Sequence, residues 1–283
     1  METPSSDTPN WGIEPVPERL RVLGTFDGFL LWANLSVSLL VIVAGAFLVL
    51  PFSQGGLALS LPVAIAAIVA AAVVGYIRLG LGGLIGADAR VPTMVLLRAP
   101  LGRRGSYAPT ALNILQCLGW SVFELIVIAT GASALSKQVL GFGGTAFWKI
   151  LFGCVATAAV ATGGALLVDL RNYQTFLYLL GSFFIPLFGV LLADWLFHSC
   201  HYEAADIFSA PAVRPLPLVA WLAGFCLYQW LYPNGPSWWT RIVAHTHPHA
   251  LPWGGASLPS FAAAFLLTSA AWVLVRRPAL ARA

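Results

Sequence analysis

The chain has 283 residues, of which 59% are hydrophobic and only 9% are charged, and its mean hydropathy is +0.82. Soluble domains average about 25% charged residues, so this composition excludes an ordinary soluble domain. The net charge of +4 comes from basic residues in short loops and tails, which indicates a topology signal and not a nucleic-acid surface. Eleven Trp and 27 Gly are typical of closely packed membrane helices with aromatic residues at both interfaces.

Residues 1–27 form a polar tail that lacks the basic start, short apolar run and small-residue cleavage site of a signal peptide. We therefore expect the first apolar run to remain in the mature protein. Arg19 and Arg21 lie just before that run and favour a cytoplasmic N-terminus. The four cysteines form no CxxC pair, so neither a disulfide framework nor a metal framework is expected.

Seven apolar runs follow the tail and predict an all-α polytopic membrane protein, with one helical domain over residues 28–276 and a basic tail at 277–283. The runs cover residues 28–51, 57–77, 112–136, 150–168, 173–197, 218–232 and 256–275. Seven full crossings from a cytoplasmic N-terminus would leave the C-terminal arginines outside, against the positive-inside tendency. Either one run does not cross, with the closely coupled fourth and fifth runs as candidates, or the C-terminal helices are frustrated in orientation.

The first run contains three polar residues, Asn34, Ser36 and Ser38, among Leu and Val. One interpretation is that the hydroxyls bond back to carbonyls of the same helix. The other is a broken helix whose freed backbone lines a site. The sequence leaves both open.

The second run is predicted to end at Arg78, before a glycine-rich and strongly basic loop. The arginines of this loop are Arg90, Arg98, Arg103 and Arg104. Their number predicts a cytoplasmic loop. Residues 91–97 within it are apolar but too few to span, which suits an interfacial or re-entrant segment.

The third run carries a polar stripe of Asn113, Gln116, Trp120 and Glu124, at helical spacings of three, four and four. A carboxylate in a membrane helix costs about 2.5–3.5 kcal/mol on insertion scales, so Glu124 marks a candidate functional site. An indole can stack on a planar ring, and a Glu one turn away can accept hydrogen bonds from that ring. The alternative is that Trp120 packs and Glu124 bonds a neighbouring helix.

Other polar residues point to no catalytic centre, and the sequence predicts that the protein is not an enzyme. Asp194, near the end of the fifth run, is interpreted as an interfacial charge or cap, with a proton relay as the alternative. His245, His247 and His249 alternate in a loop, but no Cys or carboxylate lies nearby in the sequence, and no metal site is predicted.

Four stretches resemble the nucleobase–cation symporter family 1, which includes permeases for cytosine, hydantoin, allantoin and related rings, and within it the hydroxymethylpyrimidine permeases. They are LLWANLSVSLLVIVAGAFL at 30–48, ARVPTMVLLRAPLGRRGSYAPTALNILQCLGWSVFEL at 89–125, NYQTFLYLLGSFFIPLFGVLLADWL at 172–196 and GFCLYQWLYPNGPSWW at 224–239. The second and third of these are fairly specific.

The resemblance implies a LeuT-type fold of two inverted five-helix repeats plus two helices. In that family a Trp of the third helix stacks on the ligand ring, and a polar side chain one turn later hydrogen-bonds it. These positions fall on Trp120 and Glu124. Gln116, Asn34 and Ser36 are further substrate-binding candidates. The broken first helix, near Ala33 and Ser36, would contribute to a cation site.

This chain departs from the family in length. About five central helices, roughly the fourth to the eighth, have no counterpart, with the junction inside residues 147–167. The sixth helix of the family normally brings a second stacking aromatic, and the eighth completes the cation site. Loss of an odd number of crossings would also invert the orientation of the C-terminal helices, and would explain why seven crossings leave the C-terminal arginines outside.

The resemblance implies cation-coupled transport of hydroxymethylpyrimidine or cytosine, with Na⁺ or H⁺ as coupling ion and no cofactor. The expected partners are a pyrimidine substrate and the lipid bilayer of the inner or plasma membrane, with no nucleic acid, and homo-oligomerisation stays open. The alternative is a shortened membrane protein without transport activity, or a partner subunit of the same family.

Overall fold

A computed structural model describes residues 13–18, 21–155, 159–167, 172–246 and 255–280. Within these ranges the chain is helical and contains no strand, so the predicted all-α fold is confirmed. The helices of this part of the chain are α1 Thr25–Ser36, α2 Leu39–Val49, α3 Leu61–Ala89, α4 Thr93–Leu96, α5 Arg98–Leu101, α6 Tyr107–Leu140, α7 Thr145–Val155, α8 Ala159–Leu167, α9 Tyr173–Phe197, α10 Ala204–Phe208, α11 Pro215–Leu231, α12 Ser237–Ala244 and α13 Ser257–Leu280.

Four of the described helices are long and apolar enough to cross a membrane: α3, α6, α9 and residues Ser257–Leu274 of α13. The pair α1 and α2 passes the same test together but is bent by 64°. The helices α7 and α11 are apolar and shorter. These lengths and compositions are those of a polytopic membrane protein.

The first apolar run is divided at Val37 and Ser38. The Ser36 hydroxyl donates to the Trp32 carbonyl at 2.8 Å, as the first interpretation required. The helix nevertheless ends there, and the Ser38 hydroxyl caps α2 by accepting from the Val41 amide at 3.2 Å. Back-bonding and a broken helix therefore occur together, because one serine closes α1 and the next begins α2.

The predicted end of the second run at Arg78 is wrong, because α3 continues through the glycines to Ala89. Each internal Gly costs a helix about 1 kcal/mol relative to Ala. In an apolar environment the alternative is an unsatisfied backbone, so the helix persists. The helix ends where Arg90 adopts a left-handed conformation, with φ of 59°.

The segment after α3 is buried and does not span. The short helices α4 and α5 bury Leu96, Leu97 and Leu101, each no more than 2% exposed, against residues of α9 and α11. A segment this short cannot cross a bilayer, as predicted for residues 91–97.

The fourth run is not one continuous helix, which corrects its description as a single apolar span. It forms α7 and α8, of 11 and 9 residues. Lys149 of α7 donates to the carbonyl of Ala165 in α8, and a Cβ on Gly153 would lie only 1.7 Å from the Thr162 hydroxyl. Pairing of 149 with 165 and of 153 with 162 makes α7 and α8 antiparallel, so they form a helical hairpin packed on α6.

The C-terminal helices α9, α11 and α13 pack closely through glycines. A Cβ on Gly189 would lie 2.7 Å from the Phe261 carbonyl, and one on Gly224 would lie 2.5 Å from Pro186. Such contacts are typical of membrane helices, where small residues let backbones approach. Gly189 and Gly224 thus hold the three helices together.

The connection at 233–255, predicted as a loop, contains the amphipathic helix α12. Trp239 and Val243, one turn apart, lie toward the protein, whereas Trp238 and Ile242 are exposed. This spacing gives the short helix an apolar face to pack with. His245 follows α12, whereas His247 and His249 lie outside the described residues.

Candidate functional site

Trp120 lies on α6 among aromatic rings of α9. Its indole meets Phe176 edge-on with ring centroids 5.6 Å apart, and Tyr173 at 6.0 Å. Phe123 contacts the same two rings at 5.1 and 5.2 Å. Edge-to-face pairs of this kind add about 0.5–1.5 kcal/mol each and fix the orientation of the rings. The indole of Trp120 is therefore held in one orientation while it remains half-buried.

Glu124 lies one turn after Trp120 and is also half-buried. Its carboxylate is close enough to Tyr173 for the two groups to interact electrostatically. Among the described residues it forms neither a hydrogen bond nor an ion pair. A carboxylate in a membrane helix with unused acceptor sites can bind a donor group, which disfavours the alternative that it bonds a neighbouring helix.

Gly119 explains how α9 approaches α6 at this point. A Cβ on Gly119 would lie 2.3 Å from Cε2 of Phe176. No side chain larger than hydrogen fits without displacing the ring that orients Trp120. The sequence analysis missed both Gly119 and Phe176. The one available signal was that a glycine, which permits close helix packing, directly precedes Trp120.

Gln116 lies on a cavity of about 600 Å³ between α6, α9, α11 and α12. The cavity is next to Trp120, because Phe176 contributes to both. Behind it Gln229, 1% exposed, donates to the Ser182 hydroxyl at 3.1 Å and accepts from the Trp239 indole at 3.0 Å. The sequence analysis could not predict that Gln116 and Gln229 line the same cavity, since the two residues are far apart along the chain.

The other predicted site residues lie on α1 and are not gathered with Trp120. Asn34 and Ser36 are exposed, and Ala33 is partly exposed. It is α2 that packs on α6, through Leu40, which joins the cluster around Phe123. A role for the first helix in substrate or cation binding therefore stays a prediction.

Asp194, interpreted as an interfacial charge or cap, is completely buried within the protein and is not a charge exposed at its surface. Its carboxylate accepts hydrogen bonds from the Tyr202 hydroxyl and the Trp272 indole, both at 2.8 Å, and Arg214 approaches it at 3.5 Å. His198 lies 3.4 Å from it. These donors come from α13 and from the segment between α9 and α11, so Asp194 joins three parts of the C-terminal half.

A second carboxylate reaches the same region from α3. Asp88 accepts from the Tyr202 amide at 2.9 Å and lies 2.6 Å from Nδ1 of His201. Burial raises the pKa of the Tyr202 hydroxyl well above its usual value, and the charge of Asp194 raises it further. Tyr202 therefore stays protonated and donates to Asp194 throughout the physiological range.

Among the described residues no group of three or more His, Cys, Asp or Glu side chains could hold a metal ion. A model of the family of permeases for cytosine/purines, uracil, thiamine and allantoin matches residues 15–163, more than half of the chain. No curated protein and no solved structure matches it. The match ends inside α8. This end lies within residues 147–167, where the sequence analysis expects the missing central helices of the family. This is a family of transporters and not of enzymes, and the chain belongs to it.

Proposed function

We propose that this chain is a permease for a pyrimidine-type nucleobase, with hydroxymethylpyrimidine as first candidate and cytosine as second, coupled to Na⁺ or H⁺. The observation that supports it most is the pairing of Trp120 with Glu124 on α6, both half-buried beside Tyr173 and Phe176. A flat aromatic surface and an unused carboxylate are what a small aminated ring requires.

The chemistry of an aminopyrimidine ring suits the groups at this site. An aminopyrimidine presents amino hydrogens and, when protonated, a ring N–H, and all of these are donors. The Glu124 carboxylate would accept them, while the Trp120 indole covers one face of the ring. Charge-assisted hydrogen bonds are roughly twice as strong as neutral ones, so a protonated ring would bind Glu124 more tightly.

The remaining candidate binding residues, apart from Gln116, lie on α1, which we expect to move during transport. In transporters with inverted repeats, discontinuous helices expose backbone groups near the middle of the membrane. The 64° bend between α1 and α2 has this form. Asn34 and Ser36 would reach the ring, and carbonyls near Ala33 and Ser36 would bind the coupling ion, once α1 closes on α6. Gln116, one turn before Trp120 on α6, would also contact the ring.

Uptake of labelled hydroxymethylpyrimidine by cells expressing the chain tests this proposal. Glu124→Ala should reduce uptake to the level of the empty vector, whereas the matched control Glu14→Ala, in the exposed N-terminal segment, should leave it unchanged. Competition by unlabelled cytosine ranks the two substrates. Absence of uptake by the unaltered chain, when the protein is found in the inner or plasma membrane, would overturn the proposal.

A transport-inactive partner subunit is the second candidate, and one observation favours it. Only 6% of the residues in the most apolar part of α3 are buried inside the protein. Such a face meets either lipid or other helices, including those of a second copy of this chain. A chain that shows no uptake alone but forms a stable complex with a membrane partner would support this candidate.

A further inference from the structure

The cavity beside Gln116 has walls made largely of aromatic rings. Phe183 stacks on Phe225 with centroids 4.5 Å apart, and Phe225 stacks on Trp239 at 6.3 Å. Trp238 of α12 and Phe176 of α9 add further rings, and leucines of α6 and α9 form much of the rest of the lining. Its volume of about 600 Å³ lies within the usual range of small-molecule sites.

Asn234 is the unexplained polar group of this cavity. The residue is only 6% exposed, yet its side-chain amide has no hydrogen-bond partner among the described residues. Only its backbone is used, since the Asn234 N–H donates to Gln229 at 3.0 Å. Its amide atoms still reach the surface of the cavity, because no fully buried side-chain N or O atom of the described residues lacks a hydrogen-bond partner. The amide is therefore open to a ligand in the cavity.

The turn that contains Asn234 does not need the amide. An Asn in a turn usually accepts a hydrogen bond from the backbone N–H two residues later. Here that residue is Pro236, which has no N–H. Pro233 and Pro236 instead restrict the backbone on both sides, so the position of the Asn234 backbone does not depend on its amide.

We propose that this cavity is a binding site for an uncharged planar heterocycle, whose polar edge is bound by Asn234 and whose ring lies against the aromatic wall. A primary amide presents one donor and one acceptor side by side, which matches a ring edge with an acceptor next to an amino group. Gln116, which likewise has no side-chain partner among the described residues, supplies a second amide on the same cavity. A lipid acyl chain would satisfy neither amide.

The cavity adjoins the Trp120 and Glu124 pair and shares Gln116 with that proposed site, but neither Trp120 nor Glu124 lines it. Phe176 lies between the two and contacts Trp120 edge-on. A ring could therefore occupy the cavity before or after it reaches the carboxylate. The choice of a nucleobase as ligand rests on the proposed function, whereas the geometry of the site does not.

The test is binding of labelled cytosine and hydroxymethylpyrimidine to the full chain purified in detergent. Asn234→Leu should weaken the affinity about tenfold or more, the effect of losing two hydrogen bonds. Unsubstituted pyrimidine, which has no donor, should compete poorly. The matched control Asn172→Leu removes an exposed amide that caps nothing, and should bind as the unaltered chain does.

Two results would overturn the inference. One is saturable binding that Asn234→Leu leaves unchanged, and the other is absence of ring binding, as expected if an acyl chain fills the cavity. A lower melting temperature of ligand-free Asn234→Leu would also count against it, because a structural amide would then explain the residue. If uptake depends on Glu124 but the affinity for the ring is unchanged in Asn234→Leu, only this inference is refuted. Binding that depends on Asn234 without any uptake refutes only the proposed function.

Discussion

The Trp120 indole and the Phe176 ring meet edge-on, with centroids 5.6 Å apart, across the contact between α6 and α9. This pair joins the two halves of the candidate site, since Trp120 precedes Glu124 by one turn and Phe176 also lines the neighbouring cavity. The contact exists because Gly119 has no side chain.

Gly119→Ala should therefore impair the site without unfolding the protein. The added methyl would lie 2.3 Å from Phe176, so the ring must move and release Trp120 from its orientation. Loss of one aromatic pair, worth about 0.5–1.5 kcal/mol, predicts a rise in KM for uptake of about 2- to 12-fold.

Gly131→Ala on the same helix is the matched control, because a Cβ there meets nothing within 4 Å. It should leave KM unchanged and can raise stability slightly, since Ala is the better helix former. Equal kinetic effects of the two substitutions would show that Gly119 does not position Phe176.

Gly153→Ala should destabilise the hairpin of α7 and α8. Its methyl would overlap the Thr162 side chain, and overpacking of this kind costs about 1–3 kcal/mol. Thermal unfolding in detergent measures the effect as a lower melting temperature.

Gly163→Ala, in the same hairpin, provides the comparison, because nothing lies within 4 Å of its Cβ position. It should leave the melting temperature unchanged or raise it. If both alanine variants melt alike, the antiparallel packing of α7 on α8 is not present in the protein.

How far the sequence predicts the fold depends on what ends each helix. The fifth run was predicted at 173–197, and α9 occupies the same residues because polar Asn172 and His198 flank it. The second run was predicted too short, because the glycines after Arg78 are typical of loops in water. In an apolar environment a backbone that leaves the helix loses its hydrogen bonds, so local propensity gives way.

In the candidate site, too, the features that depend on one helix were predictable and those that depend on packing between helices were not. The stripe from Gln116 to Glu124 follows from helical spacing alone, and the structure places it against α9. Phe176 and Asn234 could not be predicted, because Phe176 contacts α6, and Asn234 lines the same cavity as α6, only through packing between segments far apart in sequence. The burial of Asp194 could not be predicted, because its donors, Tyr202 and Trp272, lie on other elements and a single helix pattern cannot show them.

Asp194→Leu should strongly destabilise the C-terminal half. It leaves the Tyr202 hydroxyl, the Trp272 indole and the Arg214 guanidinium without their shared acceptor. Removal of one member of a buried charged pair costs about 3–5 kcal/mol. Tyr202→Phe, which removes one donor, should cost only about 1–3 kcal/mol.

Thermal unfolding of both variants in detergent measures the difference. Asp206→Leu is the comparison: this carboxylate, 29% exposed, caps α10 by accepting from the Glu203 amide at 2.9 Å, and its loss should lower the melting temperature less than Asp194→Leu. An Asp194→Leu protein as stable as the Asp206→Leu protein would mean that the buried carboxylate does not join these helices.

The packing of α3 on the segment after α9 predicts the orientation of the C-terminus. Asp88, at the end of α3, contacts His201 and Tyr202, and the Arg103 amide donates to the Pro211 carbonyl at 2.9 Å. The ends of α3 and α9 therefore lie on the same side of the membrane. This agrees with α6 and α9 both crossing while the hairpin of α7 and α8 returns to the side from which it entered.

The helix α11 has 17 residues, about the shortest length that crosses a bilayer. If it crosses, then α1 with α2 as one crossing and α3, α6, α9, α11 and α13 give an even number, and the C-terminus is cytoplasmic if the N-terminus is cytoplasmic. A reporter fused after Ala283 should give a cytoplasmic signal, and one inserted after Phe142, between α6 and α7, should give the opposite signal. A C-terminal reporter outside the cell would mean that residues 150–168 cross the bilayer. The arginines at the end of the chain would then lie against the positive-inside tendency, which makes the cytoplasmic result the expected one.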